Sequence, residues 1–62
     1  MKIYSASDKL KCIKRELAMR ERVYPRWVQQ NKITQNEANE QIAIMKEIQD
    51  DYEILAYEER LI

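Results

Sequence analysis

Residues 23–38, Val-Tyr-Pro-Arg-Trp-Val-Gln-Gln-Asn-Lys-Ile-Thr-Gln-Asn-Glu-Ala, close one helix, make a corner and start another, and they hold the only proline and the only tryptophan of the chain. Pro25 lacks an N–H and its ring crowds the carbonyl of Glu21, so a helix arriving there kinks or stops. The reading adopted is a kink, with the helix continuing to about residue 30. No glycine is present anywhere, so Asn31 is the natural left-handed residue to end that helix. Thr34 then reads as an N-cap, Glu37 as its reciprocal partner, and Ile33 as a hydrophobic staple on Ala38.

A chain of 62 residues is one small domain, near the size at which a single core barely offsets an ordering cost of roughly 1.5 kcal/mol per residue. Such domains usually draw on a disulfide, a metal or an oligomer. Cys12 is the only cysteine and there is no histidine, so neither an internal bridge nor a recognisable zinc set is expected, and no cofactor is implied. That leaves self-association or a partner protein. Missing glycine, together with abundant Ala, Leu, Ile, Met, Lys, Arg, Glu and Gln, indicates an all-α chain. Met1-Lys2-Ile3-Tyr4 is followed by no apolar run long enough for a signal peptide or a membrane span. The expected location is therefore cytoplasmic, which suits a free thiol, with no membrane partner.

Ser5 followed by Asp8 has the spacing of a capping box and places the first helix over about residues 6–30. Leu10, Ile13, Leu17, Tyr24 and Val28 share one stripe, with Arg20 standing where a further apolar residue is expected. A thinner line of Cys12, Met19, Val23 and Trp27 runs along its flank. After a corner at 31–34, the second helix covers about residues 35–59, with Ala38, Ile42, Met45, Ile48, Tyr52 and Leu55 as its stripe. The spacing is that of a coiled-coil-like antiparallel two-helix hairpin. Residues whose numbers add to about 65 or 66 face one another, pairing Val28 with Ala38, Tyr24 with Ile42, Leu17 with Ile48, Ile13 with Tyr52 and Leu10 with Leu55. The last stretch, Tyr57-Glu58-Glu59-Arg60-Leu61-Ile62, lacks a C-cap and is expected to fray unless a second molecule covers it.

Zero net charge conceals an asymmetry. Residues 1–32 carry nine Lys and Arg against three acids, and residues 33–62 carry two against eight, balances of +6 and −6. Two helices of opposite sign side by side explain this best. A nucleic-acid-binding basic arm is the other reading, weakened because an acidic neighbour cancels much of its attraction for phosphate. The expected register sets Lys14 and Arg15 near Asp50 and Asp51, and Arg20 near Glu47, with exposed pairs adding about 0.2 to 1 kcal/mol each.

Catalytic chemistry finds little support. Lys9, Lys11 and Arg15 near Cys12 would favour a thiolate, but no histidine is present to act as base, and the cysteine reads as structural or incidental. Asp50, Asp51 and Glu53 lie on a helix rather than in an oxygen-rich loop and read as a solvated face. Without glycine no phosphate loop forms. Tyr24, Arg26 and Trp27 admit two readings: aromatics filling the closed end of the hairpin, or an outer edge that anchors a protein partner. Stacking of these aromatics on single-stranded bases is a weaker third.

The run Arg15-Glu16-Leu17-Ala18-Met19-Arg20-Glu21-Arg22-Val23-Tyr24-Pro25-Arg26-Trp27-Val28, followed by Lys32-Ile33-Thr34, Glu37-Ala38 and Glu40-Gln41-Ile42-Ala43-Ile44-Met45, resembles a family of short phage and prophage proteins. Their pattern is R-E-hydrophobic-x-M-R-x-R-V-Y-P-R-W-V, a glycine-containing corner, then E-I-A-x-M. The resemblance covers about the middle half of the chain, and Asn31 stands where those proteins tend to have glycine. It implies a protein of a bacterial host cell, encoded among phage genes for DNA metabolism or early takeover of the host. It carries over no catalytic residue.

The hairpin buries one seam and leaves Met19, Val23, Trp27 and Ile44 outside. Met19, Val23 and Ile44 are accordingly expected to mediate self-association, most simply as a homodimer that forms a four-helix bundle. The functional expectation is a small non-enzymatic accessory protein that binds a host or phage protein through Tyr24, Arg26 and Trp27. The alternative is a nucleic-acid-binding factor in phage replication or recombination, using Lys11, Lys14, Arg15, Arg22 and Arg26.

Overall fold

The computed structural model describes residues 2–61; Met1 and Ile62, which belong to the sequence expectations for the two chain ends, lie outside the described residues. Two helices, α1 (Ala6–Gln29) and α2 (Gln35–Arg60), pack side by side as an antiparallel hairpin. The molecule measures 47 × 19 × 17 Å, little longer than the roughly 39 Å that the 26 residues of α2 span at 1.5 Å per residue. The helix boundaries fall within one residue of those read from the pattern.

Each end of α1 is fixed by local chemistry. At its start the Asp8 N–H donates to Ser5 Oγ at 3.1 Å and the Ser5 N–H donates to Asp8 Oδ2 at 3.4 Å, a complete capping box. At its finish Asn31 takes φ 59°, the left-handed conformation that a short polar side chain tolerates best after glycine. The Lys32 N–H donates to the Trp27 carbonyl at 2.9 Å and the Asn31 N–H to the Val28 carbonyl at 3.1 Å, the paired bonds of a Schellman motif. The helix runs unbroken through Pro25 into this cap. α2 opens with Thr34 Oγ1 accepting from the Glu37 N–H at 3.0 Å, but the expected return bond from the Thr34 N–H to the Glu37 carboxylate is not formed, so the cap is half of the predicted box.

The seam is thin. Ala6, Leu17, Ala38 and Ala56 are the buried apolar residues and no side chain is wholly enclosed among those described. Leu10, Ile13, Tyr24, Val28, Ile42, Met45, Ile48 and Tyr52 are half-buried along the same line. Three alanines among four buried positions let the helix backbones approach closely at both ends, with Leu17 filling the middle.

One position of the predicted stripe is wrong. Leu55 is 45% exposed and Ala56 only 3%. Ala38 and Ala56 lie about five turns apart on a straight helix of 3.6 residues per turn and so share one azimuth; Leu55 falls one residue, roughly 100°, to the side. It lines instead an open hollow with Ile3, Tyr4 and Tyr52 at the free end of the hairpin.

Candidate functional site

Antiparallel register decides which side chains can converge. Two contacts define it independently of the apolar stripe. The Ala6 N–H donates to both oxygens of Glu59, at 2.9 Å and 3.1 Å, and Lys14 Nζ lies 3.7 Å from Glu53 Oε1. Tyr24, Ala38 and Ile42 line one hollow at the other end. The three meetings agree with the expected register along the whole length.

The charge pairs differ from expectation even though the register holds. Lys14 meets Glu53 rather than Asp50 or Asp51, and Arg20 turns back to Glu16 of its own helix at 2.9 Å. Counting about 100° per residue from the buried Ala56, Glu53 lies beside the seam, whereas Glu47, Asp50 and Asp51 point to the outer side of α2. Arg15 points to the outer side of α1 by the same count from Leu17. Level residues thus stand back to back. The Arg20 guanidinium is held above its ordinary pKa, chiefly by the hydrogen bond to Glu16, with smaller help from the Tyr24 hydroxyl. Arginine is cationic throughout accessible pH in any case, so this pair fixes a side chain and switches nothing.

Tyr24, Arg26 and Trp27 do not form a single patch. Tyr24 is half-buried against the seam, and its ring stacks at a 33° tilt on Trp27 with centroids 5.5 Å apart. Trp27 remains 37% exposed and borders a shallow hollow with Ile33, Glu37 and Gln41. Arg26 is exposed and lies on the outer side of α1. One face of Trp27 thus packs on Tyr24 while the rest of the ring stays accessible.

Met19 and Ile44 are exposed and Val23 is half-buried. Helical phase puts all three, with Trp27, on one side of the hairpin. Ile44 sits level with residues 21–22, so it stands between Met19 and Val23 across the groove. The basic residues Lys11, Arg15, Arg22 and Arg26, by contrast, follow spacings of four, seven and four along the outer side of α1 and are exposed; Lys14 is drawn to the seam by Glu53. Among the described residues only Lys14–Glu53 and Arg20–Glu16 form ion pairs, so those four cations have no ion-pair partner among them.

Two features escaped the sequence reading. Glu59, assigned to a fraying end, instead caps the N-terminus of α1. Ile54, Tyr57 and Leu61 are exposed and line one open hollow with Asp50 and Glu53; their spacing of three and four is visible in the sequence but lies off the seam stripe. Cys12 is free and exposed. Among the described residues no group of three or more His, Cys, Asp or Glu converges to hold a metal ion, and no helix is long and apolar enough to cross a membrane. The chain matches no family model, no curated protein and no solved structure.

Proposed function

We propose that this chain is a small non-enzymatic accessory protein that works by protein–protein interaction. One observation carries the reading: a hairpin with a core of one leucine and three alanines leaves Met19, Trp27 and Ile44 exposed on one side. A core this thin stabilises little by itself, at about 25 cal/mol per Å² of apolar surface removed from water. Covering that side supplies what the fold lacks.

The first cover is a second copy, giving a homodimeric four-helix bundle through Met19, Val23 and Ile44. Trp27 lies about 6 Å beyond Val23 along α1, one turn nearer the corner. There Trp27 and the edge of Tyr24 offer an anchor for a partner protein, with Arg26 contributing from the outer side of α1 to a partner that wraps around the helix, since Trp, Tyr and Arg dominate binding hot spots. A bend of α1 at Pro25 belongs to the same proposal, because the Glu21 carbonyl has no donor there and the ring presses on it; it tilts the corner end toward the partner side. The resemblance to short phage and prophage proteins supports a host or phage protein as that partner, in the cytoplasm of a bacterial cell.

Sedimentation at tens of micromolar tests the first part: a dimer that Ile44→Glu separates while helical content stays high is expected, and a monomeric wild-type mass refutes it. Capture of a bacterial protein that is lost with Trp27→Ala tests the second, and capture unchanged by that substitution removes the corner from the proposal.

The four cations on the outer side of α1 favour a second reading, a nucleic-acid-binding accessory factor of phage replication or recombination. Binding through Lys11, Arg15, Arg22 and Arg26 would weaken steeply with salt. No shift of single- or double-stranded DNA at low ionic strength ends that reading.

A further inference from the structure

The two helices carry charge of opposite sign on their outer sides. Along α1 the line is Lys11, Arg15, Arg22 and Arg26, with Asp8 as one acid at its far end; along α2 it is Glu40, Glu47, Asp51 and Glu58, spaced seven, four and seven. All are exposed, and none belongs to either of the ion pairs among the described residues. Within one hairpin these two lines face away from each other. They have no route to pairing in a single copy.

Resting on the homodimer proposed above, we infer that the two copies pack with both corners at the same end, so that α1 of each copy lies on α2 of its partner. Two symmetric face-to-face arrangements are available to the Met19, Val23 and Ile44 side. With the two-fold axis along the bundle, corners coincide and every helix has two antiparallel neighbours of opposite charge. With the axis across the bundle, corners lie at opposite ends and α1 packs on α1, α2 on α2.

Apolar contact allows either one. In the first, Ile44 of each copy enters the space between Met19 and Val23 of the other; in the second, Met19 meets Val23 and Ile44 meets Ile44. Charge separates them. The first arrangement puts Arg26 level with Glu40 and Arg15 level with Asp51 on the same flank of the dimer, each pair formed twice by symmetry. The second faces a half of charge +6 with its own copy and a half of −6 with its own copy, and like charges brought together suppress a pairing.

The test places one spin label per chain at the exposed corner residue Lys32, as Lys32→Cys in a Cys12→Ser background, and measures the label-to-label distance in full-length protein whose mass has been determined. Corners at the same end stand about one helix spacing, 8–10 Å, apart, so a distance below about 25 Å is expected once label arms are included. With Ile44 on the two-fold axis, corners at opposite ends lie about ten residues to either side of it, roughly 30 Å apart at 1.5 Å per residue; a distance of about 30 Å or more overturns the arrangement and leaves the dimer standing. A monomeric mass with no dipolar coupling overturns both.

A charge swap gives a second reading that does not depend on labels. Arg26→Glu is expected to weaken dimerisation by about three- to tenfold at low salt, and Arg26→Glu with Glu40→Arg to restore it, because the swapped residues meet only between copies. No weakening, or no restoration, counts against the pairing of α1 with the partner's α2.

Discussion

The corner and the open end of this hairpin solve one problem by different means. Each must satisfy the free N–H and carbonyl groups of helix ends. At the corner the answer is contiguous in sequence: the Asn31 and Lys32 N–H groups close α1, and Thr34 opens α2. At the open end it is shared. Ser5 and Asp8 form a local box, but the first N–H of α1, that of Ala6, is satisfied only by Glu59, fifty-three residues away. A corner holds its geometry through backbone conformation, whereas the open end holds it through a carboxylate that arrives only when the helices have paired.

Leu17 lies between the two ends and serves both, so Leu17→Ala should have the largest effect. A buried leucine truncation costs about 2–5 kcal/mol, a large share of the stability of a domain this small, and thermal unfolding by circular dichroism should show a lowered midpoint with helical signal lost along the whole hairpin. Loss confined to one end would mean that the ends fold independently. Glu59→Ala should come next, at about 1–2 kcal/mol for a partly exposed charge-assisted bond. Hydrogen exchange should accelerate at the Ala6 amide and its neighbours while the Asn31 and Lys32 amides stay protected. Equal acceleration at the corner would mean that the two ends are not held independently.

Thr34→Ala removes the α2 cap and should cost about 1 kcal/mol. Its effect should be felt at the corner amides first, the mirror image of Glu59→Ala. Smallest, and of opposite sign, is Asn31→Gly. Glycine adopts positive φ without steric penalty, so a rise in stability of up to about 1 kcal/mol is expected, measured by urea unfolding. A fall would show that the Asn31 side chain contributes more than its backbone conformation.

These cases show why some of the molecule was legible and some was not. The capping box at Ser5, the left-handed Asn31 and the Thr34 cap are short-range events whose residue types stand within four positions of one another, and each was readable. Leu55 was misplaced because the choice between it and Ala56 depends on whether α2 is straight or supercoiled over five turns, a difference of one residue. The pairing of Lys14 and Arg20 was misread because level position is not enough; the azimuth of each partner decides, and Glu47 and Asp51 turn outward. The corner triad of Tyr24, Arg26 and Trp27 was legible as a composition, but its division among seam, edge and outer side was not.

Sequence by itself determined the two helices, their ends and their register, because capping chemistry and a 3.6-residue apolar period are written in neighbouring residues. Tertiary structure alone decided that three of the four most deeply buried seam positions are alanines, that Glu59 closes the first turn of α1, and that the outer charges stand outside the ion pairs of the described residues. Those outcomes depend on how close two helices come and which way each side chain turns when they do, quantities that no local stretch of the chain contains.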